Sequence, residues 1–323
     1  MRRRRRRRLR PLRLLFVLAI VLLAVAGLCW AGSLLFGGED VPVSTGPAPV
    51  EPQAPALPDE RIVETPQLYS ERAYLIRRED GAVLFSKGAE ERMYPASLTK
   101  VMTAVVVLDH AETLDDVVEA PADMFPALWE QNASMAGLQP GESATVEDML
   151  YGLMLPSGAD CAIALARYVA GDVEAFVELM NRTAAALGMS GTHFTNPTGL
   201  HDADHYSTAR DMTTLFAHAM QNDTFRAIAG SRSHTMSSAS LHDGDLTVNS
   251  TVFEELGTPF VAGGWIVAGK TGYTPEAGLC LATAARFGGR TYVLVTAGAP
   301  GDHETSQADV DDARYVYGQI PGL

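Results

Sequence analysis

Two short segments carry side chains whose pairing could do chemistry. In Ser97-Leu98-Thr99-Lys100 a hydroxyl and an amine stand three positions apart, which on a helix brings them to one face. Serine is a poor nucleophile until a base takes its proton. A lysine becomes that base when a desolvated or positively charged setting lowers its pKa toward neutrality. A helix N-terminus at the serine would also favour the negative charge that develops as it reacts. Lys270-Thr271-Gly272 adds an amine and a hydroxyl that could hold a carboxylate, and a glycine that lets a substrate backbone lie close to a strand. Pro156-Ser157-Gly158-Ala159-Asp160 offers a further hydroxyl; read alone, it is a turn in which Asp160 caps the helix that follows. The other two segments also have plain readings, as a capping serine with a solvated lysine and as an edge lysine beside a strand-ending glycine.

These groups need a frame. Residues 73–78 and 82–87 are β-prone runs joined across Asp80-Gly81, a pair that tolerates positive φ, and they read as a hairpin. Residues 101–108 form an apolar run without Gly or Pro, suited to a buried helix with Ser97 near its first turn. Further helices are expected over 146–155, 160–170 and 173–187, the last stopped by Gly188. Thr208 with Asp211 three residues on resembles a capping box opening a helix over 209–221. The pattern then turns to strands at 265–272, 278–286 and 291–297, with Gly288-Gly289 turning the last pair, and a helix over 307–317 closes the chain. Strands at both ends with helices between them imply an α+β fold: an antiparallel sheet assembled from distant segments, flanked by helices, with an all-helical lobe inserted.

Charge is segregated along the chain. Nine of 25 basic residues lie at Arg2 to Arg8, Arg10 and Arg13, leaving 16 basic against 39 acidic groups, a net of −23. A body this acidic is unsuited to nucleic acid, whose phosphates need clustered Lys and Arg. Residues 14–36 carry no charge and, at about 1.5 Å rise per residue, could cross a hydrocarbon core of about 30 Å. The arginines before them set a cytoplasmic N-terminus and place the rest outside. A cleaved signal peptide is the competing reading, with Ala24-Val25-Ala26 as its cleavage site; the body is then secreted. Residues 37–66 hold Pro42, Pro47, Pro49, Pro52, Pro55, Pro58 and Pro66, the composition of an extended tether. The expected organisation is therefore an Arg-rich cytoplasmic segment over 1–13, a membrane anchor or signal over 14–36, a linker over 37–66 and a catalytic domain over 67–323. Cys29, Cys161 and Cys280 match neither a disulfide framework nor a zinc site, and Cys161 and Cys280 read as buried thiols. His193, His201 and His205 stand in no triad context. No metal or cofactor motif is present, consistent with a covalent route through serine.

Taken in order, the segments resemble the serine D-alanyl-D-alanine carboxypeptidases, the low-molecular-mass penicillin-binding proteins of peptidase family S11, over residues 70–318. Residues 94–104 (Tyr-Pro-Ala-Ser-Leu-Thr-Lys-Val-Met-Thr-Ala) look like the family's nucleophile segment, and 150–158 like its second motif with a lead-in helix. Asn196-Pro197-Thr198-Gly199-Leu200 with His205-Tyr206-Ser207-Thr208-Ala209 is similar to a characteristic family stretch, and 269–274 with Ala277-Gly278 to the third motif. The resemblance implies a β-lactamase/transpeptidase-like fold in a bacterial protein, and with the apolar run over 14–36 as its single membrane pass the catalytic domain is expected to be extracytoplasmic. The resemblance also implies removal of the terminal D-alanine from peptidoglycan stem peptides, covalent inhibition by β-lactams, and no cofactor. By position, Ser97 would attack, Lys100 accept its proton and Ser157 relay a proton to the leaving D-alanine. Lys270 and Thr271 would hold the terminal carboxylate beside Gly272, and the N–H groups of Ser97 and Tyr273 would form the oxyanion hole.

The sequence departs from that family in two places. The second motif is usually Ser-x-Asn, but Ala159 stands at its third position and offers neither donor nor acceptor. Relatives often carry an arginine soon after the last strand, yet 301–312 contains none, and Arg314 falls deep in the last helix. Alternatives implied alongside the carboxypeptidase are a weakened or inactive wall-binding homologue, a D,D-endopeptidase and, with less support, a β-lactamase, for which no Glu-x-x-x-Asn stretch is found.

Overall fold

The computed structural model describes residues 67–242 and 245–320. The Arg-rich segment, the apolar run and the Pro-rich tether, with the readings attached to them, lie outside those residues. Among the described residues no helix is long and apolar enough to cross a membrane.

The expected hairpin forms from strands β1, Arg72–Arg77, and β2, Val83–Lys87; Gly81 turns it at φ 70°, a conformation that costs glycine nothing. A 3₁₀ turn, Ala96–Leu98, then runs into helix α1, Thr99–His110, and a two-stranded ribbon of β3, Val117–Glu119, and β4, Ser143–Thr145, brackets α2, Phe125–Glu130. The helical lobe continues with α3, Val146–Met154, α4, Ala159–Ala170, and α5, Val173–Ala186. The side chain of Thr145 caps α3 and that of Asp172 caps α5, each accepting from an N–H three residues on. Helix α6, Ala209–Ala219, opens as expected with Thr208 accepting from the Asp211 N–H. After it come α7, Asp223–Ala229, the ribbon of β5, Ser233–Met236, with β6, Leu246–Asn249, and a short helix α8, Thr251–Leu256. The chain then lays down β7, Phe260–Val261, β8, Gly264–Thr274, β9, Gly278–Phe287, and β10, Arg290–Ala299, before α9, Ala308–Gly318.

The main sheet is antiparallel with order β2-β1-β10-β9-β8-β7, so the first hairpin pairs with the last strand across the whole inserted lobe, Leu75 opposite Leu294. Alternation in the strands sends side chains into two cores. Tyr74, Val293, Val295, Ala282 and Ala284 join the core shared with α1, α3, α4 and α6. Leu75, Leu294, Leu281 and Tyr292 join the core under α8 and α9. Covering both faces explains why β9 and β10 are buried almost throughout. Fully burying one such Leu or Val is worth about 1.5–3 kcal/mol, so this sheet is a rigid floor for whatever β8 carries.

Candidate active site

The nucleophile segment is held in a strained turn. Ala96 adopts φ 47°, a left-handed conformation in a non-glycine residue, which costs on the order of 1–3 kcal/mol unless its surroundings enforce it. They do so from two sides. Gly199, at φ +82°, packs so tightly that a Cβ there would collide with the Ala96 carbonyl, and a Cβ on Gly272 would lie 3.1 Å from the Ser97 nitrogen. The glycine of the third motif thus lets β8 run directly beneath Ser97.

Lys100, one helical turn on, is 2% exposed. Its ammonium donates to Ser97 Oγ at 2.9 Å and to the Thr198 carbonyl at 2.6 Å. Burial, with the Lys270 charge second, holds its pKa well below the usual lysine range, against opposing pulls from Asp160 and Cys161. As a neutral amine, Lys100 could keep its bond to Thr198 and turn its lone pair to the serine proton over the same 2.9 Å. Thr198 is presented by its own motif: Asn196 Oδ1 accepts from the N–H groups of Thr198 and Gly199 at 3.1 and 2.8 Å and from Thr198 Oγ1 at 2.9 Å.

Ser157 sits at φ 67° at the end of α3, and its Oγ is buried with no hydrogen-bond partner among the described residues. Lys270, in β8, is wholly buried and donates to the Thr271 carbonyl at 2.9 Å. Burial pushes its pKa down to about 7, opposed by Glu255. Glu255 is itself pushed up to about 7, by burial first and by Asp309 second, and its Oε2 is buried without a partner among the described residues. Thr271 Oγ1 pairs with Thr251 Oγ1 at 2.6 Å, and Thr251 N–H donates to the Leu155 carbonyl at 3.1 Å. Helix α8 therefore ties β8 to the end of α3, where Ser157 begins its turn.

The cleft of about 560 Å³ beside Ser97 is lined by Ser97, Lys100, Tyr273, Ala159, Asn132 and His303, among others. Ser157, Lys270 and Thr271 do not line it; they are buried, at 5%, 0% and 8% exposure. A larger cavity of about 640 Å³, lined by Arg72, Arg92, Tyr94 and Glu276, contains none of these groups.

One sequence reading is corrected. Asp160 does not cap α4, whose N-cap is Gly158. Its buried carboxylate instead accepts from the N–H groups of Ala136, Gly137 and Leu138 at 2.9–3.2 Å, fixing the chain that follows the cleft-lining residues 131–134. Ala159 joins those residues through its N–H, which donates to the Ser134 carbonyl at 2.8 Å. Cys161 and Cys280 are free, buried thiols. No histidine meets Ser97; His205 Nδ1 accepts from the Thr195 N–H at 3.0 Å, which leaves Nε2–H to donate to Thr99 Oγ1 at 2.7 Å. Arg314 donates to the Leu256 and Thr258 carbonyls, away from the cleft. The sequence reading passed over Asp160 as a loop anchor, Thr251, Glu255, Asn132 and His303, and no short motif marks any of them.

A family model described as D-alanyl-D-alanine carboxypeptidase, peptidase S11, matches residues 59–301. D-alanyl-D-alanine carboxypeptidase DacF of Bacillus subtilis is 35% identical over 231 residues, 70% of this chain and 57% of that protein. The D-alanyl-D-alanine carboxypeptidase of Streptomyces sp. strain K15 is 35% identical over 238 residues, 72% of this chain and 81% of that one. Among solved structures, the Streptomyces K15 DD-transpeptidase superposes with a TM-score of 0.71 at 31% identity, covering 81% of this chain and all of that one. A D-alanyl-D-alanine carboxypeptidase from Mycobacterium tuberculosis gives 0.69 at 29%, covering 81% and 95%.

Proposed function

The chain belongs to the D-alanyl-D-alanine carboxypeptidase family, and from that premise we propose that it is a serine D,D-carboxypeptidase acting on peptides that end in D-Ala-D-Ala. The observation that carries this reading is the buried Lys100 amine 2.9 Å from Ser97 Oγ, held well below the usual lysine range. In the neutral form Lys100 takes the Ser97 proton as Oγ attacks the carbonyl carbon of the penultimate D-alanine. The N–H groups of Ser97 and Tyr273 receive the oxyanion; a single such donor is worth about 10²–10³ in rate. Collapse breaks the C–N bond, and the proton reaches the leaving amine through Ser157, whose Oγ has no competing partner among the described residues. Water then attacks the ester, and Lys100 serves again as base. Thr271 and Lys270, by their place in the Lys-Thr-Gly motif, are taken to hold the terminal carboxylate.

Acyl transfer to an amine instead of water is a second reading, favoured by the solved relative named a DD-transpeptidase, whose whole length this chain matches. A silent wall-binding homologue is disfavoured by the intact Ser97–Lys100 geometry. Incubating the purified chain with a D-Ala-D-Ala peptide and measuring freed D-alanine tests the proposal. Release is expected from the wild type and should fall by about 10³-fold or more in Ser97→Ala. Equal release from both proteins, or none from the wild type, contradicts it.

A further inference from the structure

Only two side chains lining the catalytic cleft, Lys100 and His303, can carry a positive charge. The reaction above needs Lys100 as a neutral base, and Lys270 is fully buried and does not line the cleft, with its ammonium donating to the Thr271 carbonyl at 2.9 Å. A substrate with an anionic end therefore meets few candidates for direct contact. His303 follows β10 on a loop built to hold it out. Asp302 Oδ1 accepts from the N–H groups of Glu304 and Thr305 at 2.9 and 3.1 Å, and the Asp302 N–H donates to Thr305 Oγ1 at 2.8 Å. The imidazole stands edge-on to the Tyr273 ring, with centroids 5.0 Å apart at 70°. This contact places it directly beyond the Lys-Thr-Gly strand. No hydrogen bond within the described residues occupies its ring nitrogens, and His303 lines the cleft.

We propose that His303 is the cleft's direct carboxylate-binding residue, selecting peptides with a free C-terminal carboxylate. The inference rests on the carboxypeptidase reading and deepens it by assigning a residue to the end of the substrate. An imidazole N–H donates to a carboxylate oxygen, and as an imidazolium it adds charge. Thr271 and the buried Lys270 supply the hydroxyl and the field. Arg314, the next arginine along the chain, is committed to the Leu256 and Thr258 carbonyls.

The test compares a D-Ala-D-Ala peptide with the same peptide ending in D-alaninamide, using the full chain as wild type, His303→Gln and His303→Arg. Thermal melting confirms that each variant is folded. The wild type is expected to prefer the acid by about 10- to 100-fold in kcat/KM, the worth of one charge-assisted hydrogen bond, with the difference in KM. His303→Gln should shrink that ratio to about threefold or less, and His303→Arg should restore it. A His303→Gln enzyme that keeps the wild-type ratio overturns the assignment while leaving the carboxypeptidase reading standing. If the wild type cleaves neither peptide, that reading itself has failed and the assignment falls with it.

Discussion

Lys100 and Lys270 are both buried amines, and burial serves them differently. For Lys100 the loss of water lowers the pKa and so frees the amine's lone pair at neutral pH, and the second positive charge of Lys270 adds to that lowering. Arginine cannot replace it, because a guanidinium keeps its proton. In a chain with only three lysines, two sit in the motifs where an amine is wanted. Both were legible because the spacing Ser-x-x-Lys and the tripeptide Lys-Thr-Gly are local. Their partners were not. Thr251 bonds to β8 from a helix twenty residues earlier in the chain, Glu255 of the same helix acts on Lys270 through its charge, and Asp160 anchors a loop more than twenty residues before it. Such pairings exist only once the sheet and lobe have closed. The alanine at 159 was legible as a departure, and the structure gives it a place: it lines the cleft, with Asn132 lining the same space. Ala159→Asn should restore a donor that can reach the substrate amide, raising kcat/KM for a D-Ala-D-Ala peptide by about tenfold. An unchanged or lower value would mean that this wall already supplies the contact.

At the scale of elements, the long periodic segments declared themselves and the short ones did not. Helices α3 to α6 and strands β8 to β10 were expected to within a few residues, because each buries a continuous stripe or face. The ribbons β3–β4 and β5–β6 and the six-residue α8 carry too few residues for a period to show, and tertiary contacts decide them. The cleft wall is the functional consequence: 131–138 has little regular structure, and its 136–138 end is held by the Asp160 carboxylate while Ser134 accepts from the Ala159 N–H. Asp160 is fully buried, and desolvation raises its pKa while the N–H groups of Ala136, Cys161, Leu138 and Gly137 lower it. Asp160→Asn exchanges an acceptor of several N–H bonds for an amide that accepts through one oxygen. Chemical denaturation should show a loss of about 2–3 kcal/mol, with a raised KM as the wall loosens. Wild-type stability in the variant would show that the loop is held by other means.

Over the molecule as a whole, the first hairpin and the last three long strands form one sheet, and the segment between them sets Ser97 against β8 and Thr198 against Lys100. The terminal arrangement of strands was enough to anticipate that closure. The order in which β1 meets β10 follows from the need to bury both faces of the sheet. Two cores on either side leave β8 little freedom, so the strained turn at Ala96 is held by a framework that does not yield to it. The account turns on a single chemical claim, that a neutral Lys100 activates Ser97. Its most direct measurement is the rate at which penicillin acylates the protein, with the adduct located by mass spectrometry, in wild type and Lys100→Arg. The expected result is one penicilloyl group on the peptide bearing Ser97, formed about 10²- to 10⁴-fold more slowly when the amine becomes a guanidinium. No adduct on Ser97 in the wild type, or equal rates in the two proteins, would contradict it.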